Sequence, residues 1–269
     1  MTQPVSSANI AALFLSFIIS VGLPTALFIF ARKKLKSDKM PLLIGAGTFL
    51  VFALILEKVV FNGIVFSIFD ADALQSNVWA LAIFGGLEAA VFEEVGRFVA
   101  MKMLMKKKLT RENAFMYGVG HGGVEAVILV GLGMISNIAT CFMINSGTFD
   151  ATLNLLPPEQ QKATLESVAV LWESSPLLLC MGGIERIPAI VFHIAASVIV
   201  YKAVKSGKLK YLWLALGLHF LTDAGVVVVL QYTSVVVTEI LIFVLACVSA
   251  FIAYRIYKNE KAEVVAEQA

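Results

Sequence analysis

The sequence predicts an all-α polytopic membrane protein, a transmembrane helical bundle of about seven spans, and three observations predict it. The chain is 59% hydrophobic and only 15% charged, whereas an average soluble domain carries about a quarter charged residues. Its apolar residues fall in runs of the ~20 residues that an α-helix needs to cross hydrocarbon. Its Lys and Arg residues concentrate in alternate connectors between those runs.

Seven stretches qualify as spans, at about 9–31, 41–69, 77–105, 113–145, 175–204, 211–231 and 233–256. The first is read as a retained span, because a signal peptide needs a basic region ahead of its apolar run and the first basic residue, Arg32, follows it. The second carries Glu57 and Lys58, read as a local packing or snorkelling pair. The third is the most polar, with Glu88, Glu93, Glu94 and Arg97. The fourth is glycine-rich around His121 and Glu125, and the fifth holds Glu185, Arg186 and His193 with Pro188 between them. The sixth holds His219 and Asp223, and the seventh holds Glu239, expected near the outer interface. A segment at about 146–174 reads as an extracytoplasmic connector, polar enough for a loop or a short surface helix and interrupted by Pro157-Pro158. No internal repeat is visible, so a single transmembrane domain over 1–269 is expected, with a catalytic core at about 80–230.

Orientation follows from Lys and Arg near span ends. One set of connectors holds Arg32, Lys33, Lys34, Lys36 and Lys39, then Lys102, Lys106, Lys107, Lys108 and Arg111, then Lys202, Lys205, Lys208 and Lys210. The tail adds Arg255, Lys258 and Lys261. The other side has Lys162 against Asp70, Asp72, Asp150, Glu159, Glu166 and Glu173. The N-terminus is therefore expected outside and the C-terminus in the cytosol, in a single limiting membrane such as a bacterial plasma membrane. Net charge is only +2, with the basic residues at span ends; the expected partners are the lipid bilayer and a membrane-associated peptide or protein substrate, not nucleic acid. Cys141, Cys180 and Cys247 stand singly in apolar runs, without metal or redox spacing, and are expected to be inert membrane-core residues.

Ionisable groups inside spans are costly and are by default functional. His121 lies ten residues after Arg111, His193 nine before Lys202, His219 nine after Lys210 and Glu93 nine before Lys102. At 1.5 Å per residue each sits roughly 13–15 Å in from the basic edge. All three histidines and one glutamate are thus expected at one depth on four helices. Glu125 follows His121 by four residues and Asp223 follows His219 by four, so each pair shares a helix face. Arg186, seven residues before His193, lies near its face too. Glu94 and Arg97, three apart, can pair, and an arginine so deep needs a partner. The glycines of Gly118-Val119-Gly120-His121-Gly122-Gly123 permit close helix approach or substrate access.

Histidines and carboxylates converging in a dry cavity suit a divalent ion such as zinc with an open position for water. A glutamate and a histidine can also activate water without metal while other polar groups stabilise the oxyanion. Both schemes are hydrolytic. There is no His-Glu-x-x-His, no Gly-x-Ser-x-Gly and no Gly-x-Gly-Asp, so the common membrane-protease signatures are absent.

The series Glu93-Glu94-Val95-Gly96-Arg97, Tyr117-x-x-x-His121 and His219-Phe220-Leu221-Thr222-Asp223 resembles the motifs of the CAAX-prenyl-endopeptidase and PrsW superfamily. The fuller pattern, adding Phe92, Gly120 to Ala126, Glu185-Arg186 and His193, is similar to the YhfC branch of intramembrane metalloproteases. The resemblance runs from about residue 88 to 225. It implies that Glu93 is the water-activating carboxylate, that His121 and His219 are core site residues, and that Asp223 supports His219 or contacts metal. Glu94 and Arg97 are implied to be structural or substrate-orienting. Arg97 follows the glutamates one residue sooner than in the prenyl endopeptidases, which turns it by about 100° on the helix, and Tyr117 replaces their phenylalanine.

The function expected is an intramembrane peptidase, with catalytic groups among Glu93, Glu94, Arg97, His121, Glu125, His219 and Asp223. Zinc, where used, would be held by His121, His193 and His219 with Glu125 or Asp223; a metal-independent glutamate mechanism is the alternative. Two rivals from other classes are a proton- or cation-coupled transporter, with helices broken at Pro24 and Pro188, and a non-catalytic scaffold or immunity protein.

Overall fold

A computed structural model describes the backbone of residues 2–267 and the side chains through Glu260. Lys261, counted above in the basic tail, lies outside the described side chains. Among the described residues there is no strand. The long helices are α1 (Ser7–Lys33), α2 (Met40–Ile68), α3 (Val78–Leu104), α4 (Arg111–Asn145), α5 (Pro176–Ser206), α6 (Lys210–Tyr232) and α7 (Val235–Glu267). Six of these are long and apolar enough to cross a membrane. The remaining one, α3, has 27 residues and matches them in length. What sets it apart is charge, and that charge is turned inward: Glu88, Glu93, Glu94 and Arg97 are all buried. With the site polarity explained in this way, about seven spans result, and the chain is a multi-pass integral membrane protein.

The chain divides into two compact units, one of residues 1–23 and 125–187, the other of 24–124 and 188–269. Helices α1, α4 and α5 pass from one unit into the other. Both α1 and α5 remain helical through Pro24 and Pro188, so the helix breaks invoked for a transporter are not formed at these prolines.

In the first unit, Val5, Leu13, Ile138, Cys141, Ile144 and Leu171 make the core. The segment expected as a connector forms two helices, Thr148–Leu153 and Pro158–Glu173. Pro158 sits at the first helical position, where its fixed φ favours helix and its missing N–H costs nothing; the second helix then seats Val168, Leu171 and Trp172, spaced three and four apart, on that core. Asn9 ties the segment down, its Nδ2 donating to the Leu171 carbonyl at 2.9 Å and the Ser174 carbonyl at 3.1 Å.

In the second unit the core is built from Ala100, Met101, Tyr117, Phe192, Ile199, Tyr201, Ala215 and Leu218 with their neighbours. Helix α3 starts cleanly because the Asn77 side chain accepts from the Trp79 and Ala80 backbone N–H groups at 3.1 Å, satisfying two otherwise orphaned donors. Part of α2, Phe49–Phe61, is wound as a π-helix, a rare form that recurs at functional sites. Glycine makes two very close approaches between α2 and α4. A Cβ on Gly45 would stand 2.1 Å from the Tyr117 carbonyl oxygen, and one on Gly120 2.0 Å from that of Leu42. Only hydrogen fits at either place. Of the cysteines, Cys141 is a core residue, Cys180 is half-buried and Cys247 is exposed on an apolar outer face of α7.

Candidate functional site

Within the second unit, α3, α4, α5 and α6 bring the chain's three histidines together. The His121 and His193 ring centroids are 4.9 Å apart, and those of His193 and His219 are 5.7 Å apart. Phe192 packs edge-on against both His193 and His219, and Phe49, from the π-helical turn, packs edge-on against His121 at 5.4 Å. These aromatic walls limit the rotation of the imidazoles and keep the surroundings apolar.

Glu93 meets His121 across the α3–α4 contact, with its Oε2 2.8 Å from Nε2. A carboxylate only accepts, so Nε2 donates. Glu93 Oε2 is also 3.9 Å from His193 Nδ1. One ligand-capable atom from each of Glu93, His121 and His193 lies within 4.8 Å of the others, and all three residues are buried. His121 Nδ1 is buried without a hydrogen-bond partner.

A second set of contacts fixes the other two histidines. His219 Nδ1 donates to Glu94 Oε1 at 2.8 Å, and its Nε2 lies 3.4 Å from Asp223 Oδ2 one turn on. Glu94 Oε2 stands 3.1 Å from Arg97 Nε; the two atoms lack the alignment of a hydrogen bond, so this is a charge contact. Arg97 is wholly buried. Its Nη1 donates to the His193 carbonyl at 2.9 Å and to Ser197 Oγ at 2.5 Å, and its Nη2 lies 3.2 Å from His193 Nδ1. Arg97 thus links Glu94, and through it His219, to both the backbone and the ring of His193. The early arrival of the arginine after the glutamate pair does not remove it from the cluster, because α5 rather than α3 receives its donors. Ser197 was not anticipated. It lies four residues after His193, on the same helix face, and its Oγ also donates to the His193 carbonyl at 2.7 Å.

The remaining sequence candidates fall elsewhere. His121 takes Glu93 as its partner at Nε2 rather than its helix neighbour Glu125. Glu125 belongs to the first unit, where Arg186 Nη1 donates to its Oε1 at 2.9 Å while Nη2 pairs with Glu185. A guanidinium supplies a charge-assisted bond that a neutral imidazole does not, which accounts for the exchange of partners. Arg186 accordingly serves Glu125 and Glu185, and Arg97 takes the place beside His193 that helix spacing suggested for Arg186. Glu57 and Lys58 pair as expected, and Glu88, which the sequence left outside that pair, joins them: Lys58 Nζ is 2.6 Å from Glu57 Oε1 and 2.9 Å from Glu88 Oε1.

The arrangement can do two things chemically. Glu93 and His121 can accept and return a proton, and the pair of imidazoles with one carboxylate is a donor set suited to zinc. A family model described as YhfC intramembrane metalloprotease matches residues 17–245 of this chain. The chain is 34% identical over 259 residues to "Uncharacterized membrane protein YhfC" of Bacillus subtilis (strain 168), a match that covers 92% of this chain and 96% of that protein.

Proposed function

The chain belongs to the YhfC intramembrane metalloprotease family, and from that membership together with the site geometry we propose that it is an intramembrane peptidase. It hydrolyses a peptide bond of a membrane-associated substrate with an activated water. The observation that carries this reading is the 2.8 Å contact of Glu93 with His121 inside a buried group of three metal-capable side chains.

Two imidazole nitrogens and one carboxylate oxygen within 4.8 Å of one another fit zinc in donor type and number, leaving a fourth position open. Glu93, His121 and His193 would hold it. When bound, the ion lowers the pKa of water and polarises a carbonyl.

The chain's own residues perform the rest. A carboxylate has two oxygens and about four acceptor positions, so Glu93 can engage His121 and still accept a proton. Water attacks the scissile carbonyl carbon, and its proton passes to Glu93. The new C–O bond leaves negative charge on the carbonyl oxygen, and His219 supplies the donor: Glu94 keeps Nδ1, and Nε2, held more loosely at 3.4 Å from Asp223, turns its N–H to the oxyanion. Glu93 then gives the proton to the amide nitrogen, the C–N bond breaks, and an acid and an amine leave. Arg97 touches none of the reacting atoms in this scheme; it positions His193 and, through Glu94, His219.

Labelling of new N-termini in membranes of cells making this chain tests the reading. Termini present with the wild type and absent with a His121→Ala/His219→Ala variant are expected; identical sets from both would overturn it. Metal content tests the cofactor separately. Purified without chelators, the wild type is expected to carry about one zinc per chain, the number that three converging ligands support, and a His121→Ala/His193→Ala variant to carry none. Zinc-free wild type would assign water activation to Glu93 alone.

A further inference from the structure

We infer that Glu57, Asn62 and Glu88 form a second site, separate from the histidine cluster, that takes a cationic N–H donor, an ammonium or guanidinium group presented from within the membrane. The inference goes beyond the peptidase reading and stands without it.

Lys58 is the one cation of this cluster, and each carboxylate spends a single oxygen on it: Glu57 Oε1 at 2.6 Å and Glu88 Oε1 at 2.9 Å. Asn62 Nδ2 reaches the same Glu88 oxygen at 3.5 Å. Three acceptors are left over. Glu57 Oε2, Glu88 Oε2 and Asn62 Oδ1 are buried and have no donor. Glu57 is 1% exposed and Glu88 8%, so bulk water does not satisfy them, and a buried polar group without a partner is costly. Because the same ammonium touches both carboxyl groups, each leftover carboxylate oxygen belongs to a group already drawn to Lys58.

The imbalance is one-sided. Every unpartnered atom in the cluster is an acceptor, and two carboxylates face one ammonium. What completes it is a group with several N–H donors, no acceptor and one positive charge, which describes an alkylammonium or a guanidinium. The Lys58 side chain is 53% exposed, so the cluster reaches the helix surface and can be entered sideways by an amphiphile. Glu57 and Lys58 lie in the π-helical stretch Phe49–Phe61. Glu88 precedes Glu93 by five residues, about 7.5 Å along α3, so the two sites are neighbours built from different side chains, and the Glu57 carboxyl lies within electrostatic reach of His219.

Two sources share this chemistry, an amine-bearing lipid headgroup and the basic residue of a membrane segment. The probe is dodecylamine at pH 7.5, added to the purified full chain in neutral detergent while thermal unfolding is followed. It is expected to raise the unfolding midpoint by about 2–4 °C, as a ligand at a few times its dissociation constant does for a chain of this size. Dodecanol, which lacks the charge, and dodecyltrimethylammonium, which lacks the N–H donors, are expected to give no comparable shift. The dodecylamine shift should vanish in Glu88→Gln and grow in Lys58→Gln, where one more negative charge is uncompensated. Equal shifts from all three amphiphiles, or a shift retained in Glu88→Gln, would overturn the inference. So would saturation by sodium alone at fixed ionic strength, which would make the site one for an inorganic ion. Vesicles with and without phosphatidylethanolamine, and an apolar peptide carrying lysine or norleucine at its centre, then separate the two sources. The amphiphile controls run on the wild type, so the result does not depend on any variant folding.

Discussion

Glu93→Gln is expected to lose cleavage by a factor of about 10²–10⁴, the usual contribution of a positioned acid–base group. Glutamine keeps the volume of the side chain and one acceptor oxygen, so the contact with His121 Nε2 at 2.8 Å can persist. What it cannot do is take a proton and return it. Helix packing is untouched, and the unfolding midpoint should stay within a few degrees of the wild type. Turnover of a substrate identified by its new N-terminus is the measurement. A rate within about threefold of wild type would remove Glu93 from the proton path and leave it at most a ligand.

Gly120→Ala has the second large expected effect, this time on stability as well as rate. The added methyl would stand 2.0 Å from the Leu42 carbonyl oxygen and 2.7 Å from its carbon. Both are backbone atoms and cannot rotate away, so α2 and α4 must separate. Overpacking generally costs about 1–3 kcal/mol and sometimes more, and a backbone obstacle belongs at the upper end. The neighbouring residue is His121, so the displacement also lengthens its contact with Glu93. Gly47→Ala supplies the comparison, since a Cβ there meets nothing within 4 Å; in a helix, that exchange should be neutral or stabilising by up to ~1 kcal/mol. Equal unfolding midpoints for the two alanine variants would mean that the α2–α4 contact is not as close as described.

Depth was the most legible property of the site. A helix rises by a constant 1.5 Å per residue, so counting from basic span ends gives one coordinate for each polar residue. Direction around the helix was not legible, because it depends on which helices become neighbours. Spacing within a helix suggested Glu125 for His121 and Arg186 for His193. The partners found, Glu93 and Arg97, both come from α3, 28 and 96 residues away. Contacts internal to a helix were readable: Glu94 with Arg97, and His219 with Asp223, lie at helical spacings and meet. The link between Glu57 and Glu88 was hidden for the same reason. The two glutamates stand on α2 and α3 and meet through Lys58, so no spacing within one helix could disclose the contact. In the segment after α4 the surface-helix alternative is the one formed, and its position follows from Pro158, since a proline at the first position begins a helix as readily as it ends one.

The paired glycines Gly45 and Gly120 also bear on how a peptide reaches His121. Where a Cβ would already be only about 2 Å from a backbone oxygen of the opposing helix, there is no width for an extended chain. The α2–α4 seam is therefore a closed wall, and under the proposed peptidase function a substrate would approach the histidines along a different boundary of this unit. A tethered bulky label on α2 at Leu43, a residue with 59% of its surface exposed, should accordingly leave access to the site unaltered.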